Sequence, residues 1–263
     1  MRYEISGTVM QTVAIDLAPG EQVYSQTAAM AWMSDNVAMD THTGGGLFAG
    51  LKRAMSGGSL FITDFTAEGG PGQIAFAPRF PGKIVPMALA AGQSLICRKE
   101  TFLCAEKSVT LEIAWQQRFG AGLFAGEGFI LQRVTGPGTA FLDLSGEVIE
   151  KTLRPGERLL VSAGHIGMQE PSVETDIQMV RGFRNFLFGG EGLFLATMTG
   201  PGRIWLQSMP IMNLAEEIFR HMPASEGGGD GDSIGGTVAT GVAGAAIGGI
   251  LGGMFGGGGD DDS

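Results

Sequence analysis

Apolar and polar side chains alternate in short runs along most of the chain, with the period of two residues that is typical of β-strands. Residues 12–17 (TVAIDL) show this alternation, and a similar one runs from Val148 toward Leu153. Other short apolar runs, such as LFIT, FILQ, LFLA and RIWLQ, are bounded by Gly or Pro. The pattern predicts an all-β chain whose short strands form a sandwich or a barrel.

Two turn patterns each occur three times. The first reads LAPGEQV, LAAGQSL and LRPGERL, at 17–23, 89–95 and 153–159. The second reads EGGPGQIAF, VTGPGTAFL and MTGPGRIWL, at 68–76, 134–142 and 198–206. In the GPG turns, Pro presets φ at one central position and Gly takes the positive φ that other residues avoid. From the Gly of the first pattern to the Pro of the second, the spacing is 51, 45 and 45 residues, which indicates an internal repeat.

The pentapeptide GLFAG also repeats, at Gly46–Gly50 and Gly122–Gly126, and FLFGG stands in the same place at 186–190. We therefore predict three tandem β-sandwich or barrel-like units in a pseudo-threefold arrangement, each of which buries its apolar face against the next. Their boundaries are about 8–80, 83–145 and 147–210. The three units make up one predicted domain over residues 1–223.

Two segments have the pattern of a helix. Residues 47–55 predict a short helix that ends at the glycines after it. Residues 213–222 (NLAEEIFRHM) predict a helix with Asn213 as N-cap, Glu216 in the first turn and Pro223 as the stop. This second helix is expected to cover an open edge of the β domain.

Charge is concentrated in the last 40 residues. The chain of 263 residues has a formal net charge of −10, and residues 224–263 contribute −6 of it through six acidic residues and no Lys or Arg. The remaining −4 on residues 1–223 makes bulk attraction of nucleic acid unfavourable, because Lys and Arg provide most of the affinity for phosphate. Nucleic acid is therefore not an expected partner.

The acidic, Gly-rich region at 224–263 is predicted to be a low-complexity tail. From 234 to 259 it has no charged residue, and Gly244, Gly248, Gly252 and Gly256 recur at every fourth position. Small residues at this spacing allow close helix packing in a bilayer, and about 20 apolar residues suffice to span one. So many glycines also disfavour a helix. Two interpretations stay open: a disordered tail, or a membrane-associating or self-packing glycine helix.

GGGLFAGLKR has glycines at the spacing of a phosphate-binding loop. That loop needs Lys directly after the last Gly and then Ser or Thr. Here Leu51 follows Gly50, so Lys52 comes one place late and Arg53 replaces the hydroxyl residue. The second copy, GLFAGEGF, has no Lys. The sequence therefore argues against a nucleotide site and leaves Lys52 and Arg53 as solvated charges or as a contact for an anionic partner or lipid surface.

No catalytic or metal-binding pattern emerges from the remaining residues. His42, His165 and His221 are isolated, although Asp40 and His42 share one side of a predicted strand. Cys97 and Cys104 lie seven apart, which fits no common zinc motif, and we expect two buried free thiols. No Ser lies in a GxSxG motif. We expect no cofactor, no metal and no enzymatic activity.

The motif-bearing segments resemble a known family. GGGLFAGLKRAMSGGSLF, FTAEGGPGQIAFAPRFPGKI, GQSLICRKETFLCAE and FGGEGLFLATMTGPGRIWLQSMP are similar to segments of a widespread bacterial family without assigned function. The eukaryotic members of this family are mitochondrial-inheritance (AIM-type) biogenesis proteins, linked to inner-membrane organisation. The resemblance covers about residues 1–220. It implies three tandem units similar in fold to the tryptophan RNA-binding attenuation protein, and it transfers no catalytic residue.

These observations predict a non-enzymatic scaffold or assembly protein that binds a protein partner or associates with itself. The N-terminus has no apolar signal segment, so the sequence predicts a cytoplasmic protein. A membrane-associating tail would place it at the inner face of a membrane. The alternative is a small-ligand-binding or RNA-binding β module. For RNA the expected stacking residues would be Phe61, Phe129 and Phe194, but their equivalent repeat positions favour a place in the core.

Overall fold

A computed structural model describes residues 1–26, 29–43, 61–117, 129–179 and 194–221. The described part is nearly all β, as the alternation predicts. Its strands are β1 Arg2–Ser6, β2 Thr12–Leu17, β3 Gln22–Gln26, β4 Met30–Met33, β5 Val37–Thr43, β6 Phe61–Ala67, β7 Gly72–Phe76, β8 Gly82–Leu89, β9 Ser94–Arg98, β10 Phe102–Glu106, β11 Thr110–Gln117, β12 Phe129–Thr135, β13 Gly138–Ser145, β14 Val148–Leu153, β15 Arg158–Ser162, β16 Ile166–Gln169, β17 Glu174–Met179, β18 Phe194–Thr199 and β19 Gly202–Gln207. Short 3₁₀ turns occupy Lys99–Thr101 and Ala163–His165.

The strands form four sheets. Sheet A has the order β1-β2-β7-β4, and sheet B has the order β5-β6-β3-β10-β13-β8. Sheet C has the order β11-β12-β9-β16-β19-β14, and sheet D has the order β15-β18-β17. Every strand pair is antiparallel.

Three apolar clusters hold the sheets together. One joins sheet A to sheet B around Ile15 and Phe141. The second joins B to C around Leu142 and Val134, and the third joins C to D around Ile204 and Met198. All six of these side chains are fully buried. Strand β2 shows how the sequence places them, since its residues alternate between buried and half-buried as the period of two requires.

The LAPG-type turns have the same geometry three times. Gly20, Gly92 and Gly156 have φ of 78°, 78° and 75°, a conformation that favours glycine. In each turn the residue after Gly donates its N–H to the carbonyl of the first turn residue, as Glu157 does to Arg154 at 2.9 Å. Its side chain in turn accepts the N–H of that first residue, and Glu157 Oε2 lies 2.9 Å from the amide of Arg154.

The GPG turns agree with the prediction in two of three cases. Gly138 and Gly202, which follow the prolines, have φ of 133° and 145°, and the Gly–Pro bonds before them are cis. In the first turn the positive φ falls on Gly69 instead, at 70°. This turn contains extra residues, so its chain reverses at an earlier glycine.

The C-terminal helix, α1, spans Ile211–His221. It begins two residues before the predicted N-cap, so the assignment of Asn213 as N-cap is wrong. The carbonyl of Pro210 accepts the N–H of Asn213 at 3.0 Å and that of Leu214 at 3.4 Å, which places Asn213 inside the first turn. The apolar face of α1 is not fully covered, because Ile218 is 54% exposed. The predicted stop at Pro223 and the predicted helix at 47–55 lie outside the described residues.

Candidate functional site

Strands β2–β7, β8–β13 and β14–β19 form three successive runs of six strands, and the same four pairs recur in each. In every run the first and third strands pair with the sixth, and the second and fourth pair with the fifth. The boundaries of the predicted repeats and their pseudo-threefold relation stay predictions. What the strand order shows is a common pairing pattern.

Successive runs are connected by one further strand pair, which we call the joint. At the first joint β3 pairs with β10, and at the second β9 pairs with β16. Each joint therefore sets the second strand of one run against the third strand of the next. The opposed residues are Ser25–Cys104, Tyr24–Ala105 and Val23–Glu106 at the first joint, and Cys97–Met168 and Ile96–Gln169 at the second.

At each end of the array, one strand has the position of a joint strand but has no following or preceding run to pair with among the described strands. These strands are β4, the third strand of the first run, and β15, the second strand of the last run. Within the described residues, β4 pairs only with β7, and β15 pairs only with β18. We call these two strands the open edges. An unpaired strand edge presents a row of backbone N–H and C=O groups to any chain that can add to it.

Side chains that are buried at the joints are exposed at the open edges. Leu160 on β15 is 63% exposed, whereas at the corresponding positions Tyr24 of β3 is 2% exposed and Ile96 of β9 is half-buried. Trp32 on β4 is 49% exposed, whereas Cys104 and Met168, at the corresponding positions of β10 and β16, are fully buried. The open edges therefore leave in solvent two large apolar side chains at positions that the joints cover.

The open edges also lack the charges that protect the other sheet edges. Sheet edges in soluble proteins commonly carry charged residues or proline, which discourage strand addition. The six other edge strands of the described sheets each contain a charged residue at an internal position: Glu4, Asp40, Lys83, Glu112, Lys151 and Asp176. In contrast, β4 reads MAWM and β15 reads RLLVS, with a charge only at its first residue.

A charged cluster lies beside the first joint. Asp64 on β6 accepts a hydrogen bond from Lys107, which follows β10. The Nε2 atom of His42 lies 3.2 Å from Oδ2 of the same Asp64. The partner of His42 is thus a carboxylate on the neighbouring strand and not Asp40. Because Lys107 and His42 both face Asp64, the cluster links the first run of strands to the second.

Tyr24 adds a buried hydrogen bond at this joint. Its hydroxyl donates to the carbonyl of Val109 at 3.0 Å, and its ring stacks on Phe102 with 5.5 Å between ring centres. Burial, with a smaller contribution from the negative charge of Asp64, raises the pKa of Tyr24 well above its usual value. The hydroxyl therefore stays protonated and acts as a structural donor.

The thiols of Cys97 and Cys104 are free and fully buried, as predicted. Burial raises the pKa of Cys97 to about 12 and that of Cys104 well above its usual value. A reactive thiol needs an accessible thiolate, so neither residue is suited to be a nucleophile. Both instead fill joint positions, one on β9 and one on β10.

The other two histidines also have hydrogen-bond partners. The Nδ1 atom of His165 lies 2.8 Å from the carbonyl oxygen of Gln207, and the Nε2 atom of His221 lies 2.9 Å from Oε1 of Glu217. Among the described residues no group of three or more His, Cys, Asp or Glu side chains is arranged to hold a metal ion.

The contact residues predicted from the sequence, Lys52 and Arg53, lie outside the described residues, as do Gly244, Gly248, Gly252 and Gly256 of the tail.

Of the three Phe residues at equivalent positions, Phe129 is buried as expected, at 1% exposure. In the part of the chain that the structure describes, no helix is long and apolar enough to cross a membrane. The sequence predicted that the β domain has an open edge, but it did not identify the strands, because MAWM and RLLVS have the apolar pattern of inner strands.

Comparison with known proteins identifies the family. The family model described as "Mitochondrial biogenesis AIM24" matches residues 3–209. The chain belongs to this AIM24 family. The match covers the described strands from the second residue of β1 to the end of β19 and stops before α1, so the resemblance seen in the sequence is confirmed.

Two streptococcal proteins are similar to this AIM24-family chain. An uncharacterized protein of Streptococcus pyogenes serotype M6 is 30% identical over 234 residues, which covers 86% of the chain and 92% of the relative. An X-ray crystal structure of a Streptococcus pyogenes protein superposes with a TM-score of 0.68 at 28% identity, over 84% of the chain and 99% of that protein. The similarity to the attenuation-protein fold stays a prediction.

Proposed function

We propose that this AIM24-family chain is a non-enzymatic scaffold or assembly protein that binds protein by strand addition at β4 and β15. The observation that carries the proposal is the pair of open edges. In strand addition the backbone of the added segment supplies hydrogen bonds, and alternate side chains provide specificity. Among the described residues, both edges combine unpaired backbone positions with exposed apolar side chains, Trp32 and Leu160.

The polar groups of the described residues support a structural role. Asp64 contacts Lys107 and His42, and the hydroxyl of Tyr24 donates a hydrogen bond to a backbone carbonyl. These contacts hold neighbouring strands together at a joint. The charged side chains of this cluster therefore contact one another and stabilise the fold.

Protein capture with edge variants tests this proposal. The full chain would be compared with a Trp32→Lys/Leu160→Lys double variant and with Met39→Lys, a control on the edge strand β5 whose side chain is 55% exposed. After cross-linking in cell extract, wild type and Met39→Lys should retain the same bound proteins, including further copies of the chain. The double variant should lose them. Equal recovery with all three chains would refute binding at the open edges.

The proposal also includes a membrane contact through residues 224–263. Its support is the sequence alone: 26 residues without charge from 234 to 259, with Gly at every fourth position over 244–256. Flotation of the full chain and of residues 1–223 with anionic and neutral phospholipid vesicles tests it. The full chain should float and the shorter chain should remain at the bottom. Equal flotation of both would remove the tail from the proposal.

A further inference from the structure

We propose that the occupant of each open edge is a second copy of this chain, with β15 of one copy added antiparallel to β4 of the next. This inference rests on the proposed function and specifies its partner. In this pairing Leu160 lies opposite Met33 of the second copy, and Val161 lies opposite Trp32. The copies then join head to tail, because each uses β4 at one end and β15 at the other.

The register follows from the two internal joints. Tyr24, Ile96 and Leu160 each lie four residues after the positive-φ glycine of an LAPG-type turn, so they occupy one position of the second strand. Tyr24 pairs with Ala105 at the first joint, and Ile96 pairs with Gln169 at the second. The residue of β4 at this position is Met33, because it faces Ile74 of β7 as Ala105 faces Ala140 and Gln169 faces Ile204. Leu160 is therefore assigned to Met33.

The backbone of β4 already has the shape of a joint strand. Strands β10 and β16 both carry an irregularity that skips one residue against the neighbouring strand, at Leu103 and at Gly167. Strand β4 carries the same irregularity at Ala31. Such bulges redirect a strand locally and alter its twist. Because β4 shares this feature with the two strands that do form joints, it is shaped to accept a strand like β3 or β9.

The strand count supports the same occupant. Sheets B and C each contain six strands, three on either side of their joint. Sheet D has three strands that end at β15, and sheet A has four that end at β4. Joining D of one copy to A of the next restores the six-strand order and adds β1 at its far edge. Sheet A thus supplies the strand that would pair with β15, and sheet D supplies the strand that would pair with β4.

A second copy fits better than closure of one chain on itself. In the structure β4 and β15 belong to different sheets and are not paired with each other. Interfaces between two different surfaces of identical chains are heterologous, and they give closed rings or open filaments. The inference therefore predicts oligomers in which every interface pairs β15 of one copy with β4 of the next.

Two single variants of the full chain test whether the copies join head to tail. Trp32→Lys disables β4 and Leu160→Lys disables β15. Both side chains are about half exposed or more, so each Lys can reach solvent within one chain but would be buried in the joint. Met39→Lys is the matched control, with similar exposure on an edge strand that forms no joint. Far-ultraviolet circular dichroism checks that all variants are folded.

Sedimentation velocity then measures the mass of each species. Wild type and Met39→Lys should form species larger than 27.4 kDa, the mass of one chain, and each Lys variant at an open edge should be monomeric. Mixing Trp32→Lys with Leu160→Lys should give a 1:1 dimer of twice the monomer mass, because the intact β15 of the first meets the intact β4 of the second. Growth should stop there, since both outer edges are blocked.

Several results would overturn the inference. A monomeric wild type would do so, as would assembly that survives both variants or a mixture that stays monomeric. If wild type is monomeric and extract proteins still bind in an edge-dependent manner, the proposed scaffold function stands and self-assembly fails. If the edge variants alter neither measurement, both fail.

Discussion

Replacement of Asp143 by Asn should remove a pH dependence of stability that one buried carboxyl group creates. Asp143 lies on β13 opposite Ile84 of β8 and is 8% exposed. Its Oδ1 atom has no hydrogen-bond partner among the described residues. Burial therefore disfavours the charged form and raises the pKa of Asp143 from its usual 3.8 to about 7.

The sign of the effect follows from proton binding. Between pH 4 and 7 the folded state keeps the proton on Asp143, whereas the unfolded state has lost it, so folding stability falls as the pH rises. The stabilisation is fully present below pH 3.8 and is lost as the pH passes through about 7. The two pKa values differ by about 3, and each unit corresponds to about 1.4 kcal/mol, which gives about 4 kcal/mol in total. Asn has nearly the same shape and does not titrate.

Urea unfolding from pH 4 to pH 8.5 provides the assay. Wild type and Asp143→Asn would be compared in the Leu160→Lys background, so that any self-association does not add to the apparent stability. The free energy of unfolding of Asp143→Asn, relative to its parent, should rise with pH by about 4 kcal/mol and level off above pH 7. Other titrating groups act equally in both chains. A difference that does not change with pH would refute the assignment of a raised pKa to Asp143.

Three further substitutions test the packing of the strands, each by its urea midpoint. Gly82→Ala should cost about 3 kcal/mol, because the new Cβ would lie 2.1 Å from the carbonyl oxygen of Leu144 on the paired strand. Gly92→Ala should cost about 1 kcal/mol, because only its φ of 78° is unfavourable and the added atom meets nothing within 4 Å. If Gly92→Ala lowered the midpoint as much as Gly82→Ala, steric contact with Leu144 could not explain the cost of Gly82→Ala. Tyr24→Phe should cost about 1–3 kcal/mol by removing the donor to the buried carbonyl of Val109, and an unchanged midpoint would contradict that role.

Local features of the fold could be predicted from the sequence because their causes are local. The alternation over 12–17 reflects the two faces of β2, and the residues predicted to point inward are the buried ones. The LAPG-type turns could be recognised because Gly at one position permits the positive φ that the turn requires. The burial of both cysteines also follows from their apolar character.

Which strands form the open edges could not be predicted in the same way. Strand β15 follows the same LAPG-type turn as β3 and β9, and only the strand order shows that it has no second neighbour among the described strands. Pairing between distant strands is set by tertiary structure, which the periodicity of one strand does not encode. The start of α1 was misplaced for a related reason, since Asn213 is a good N-cap by type but the carbonyl of Pro210 already serves the first turn.

Disulfide trapping in the full chain tests the head-to-tail joint most directly. Met33→Cys and Leu160→Cys chains would be mixed and oxidised, with Ser162→Cys replacing Leu160→Cys as an out-of-register control two residues further along β15. Directly opposed residues lie within disulfide reach, whereas diagonal neighbours are about 7–8 Å apart. The native cysteines are buried and should not react. The account predicts a covalent dimer from the Met33→Cys and Leu160→Cys mixture and little or none from the control. Equal trapping in both mixtures, or no dimer in either, would contradict it.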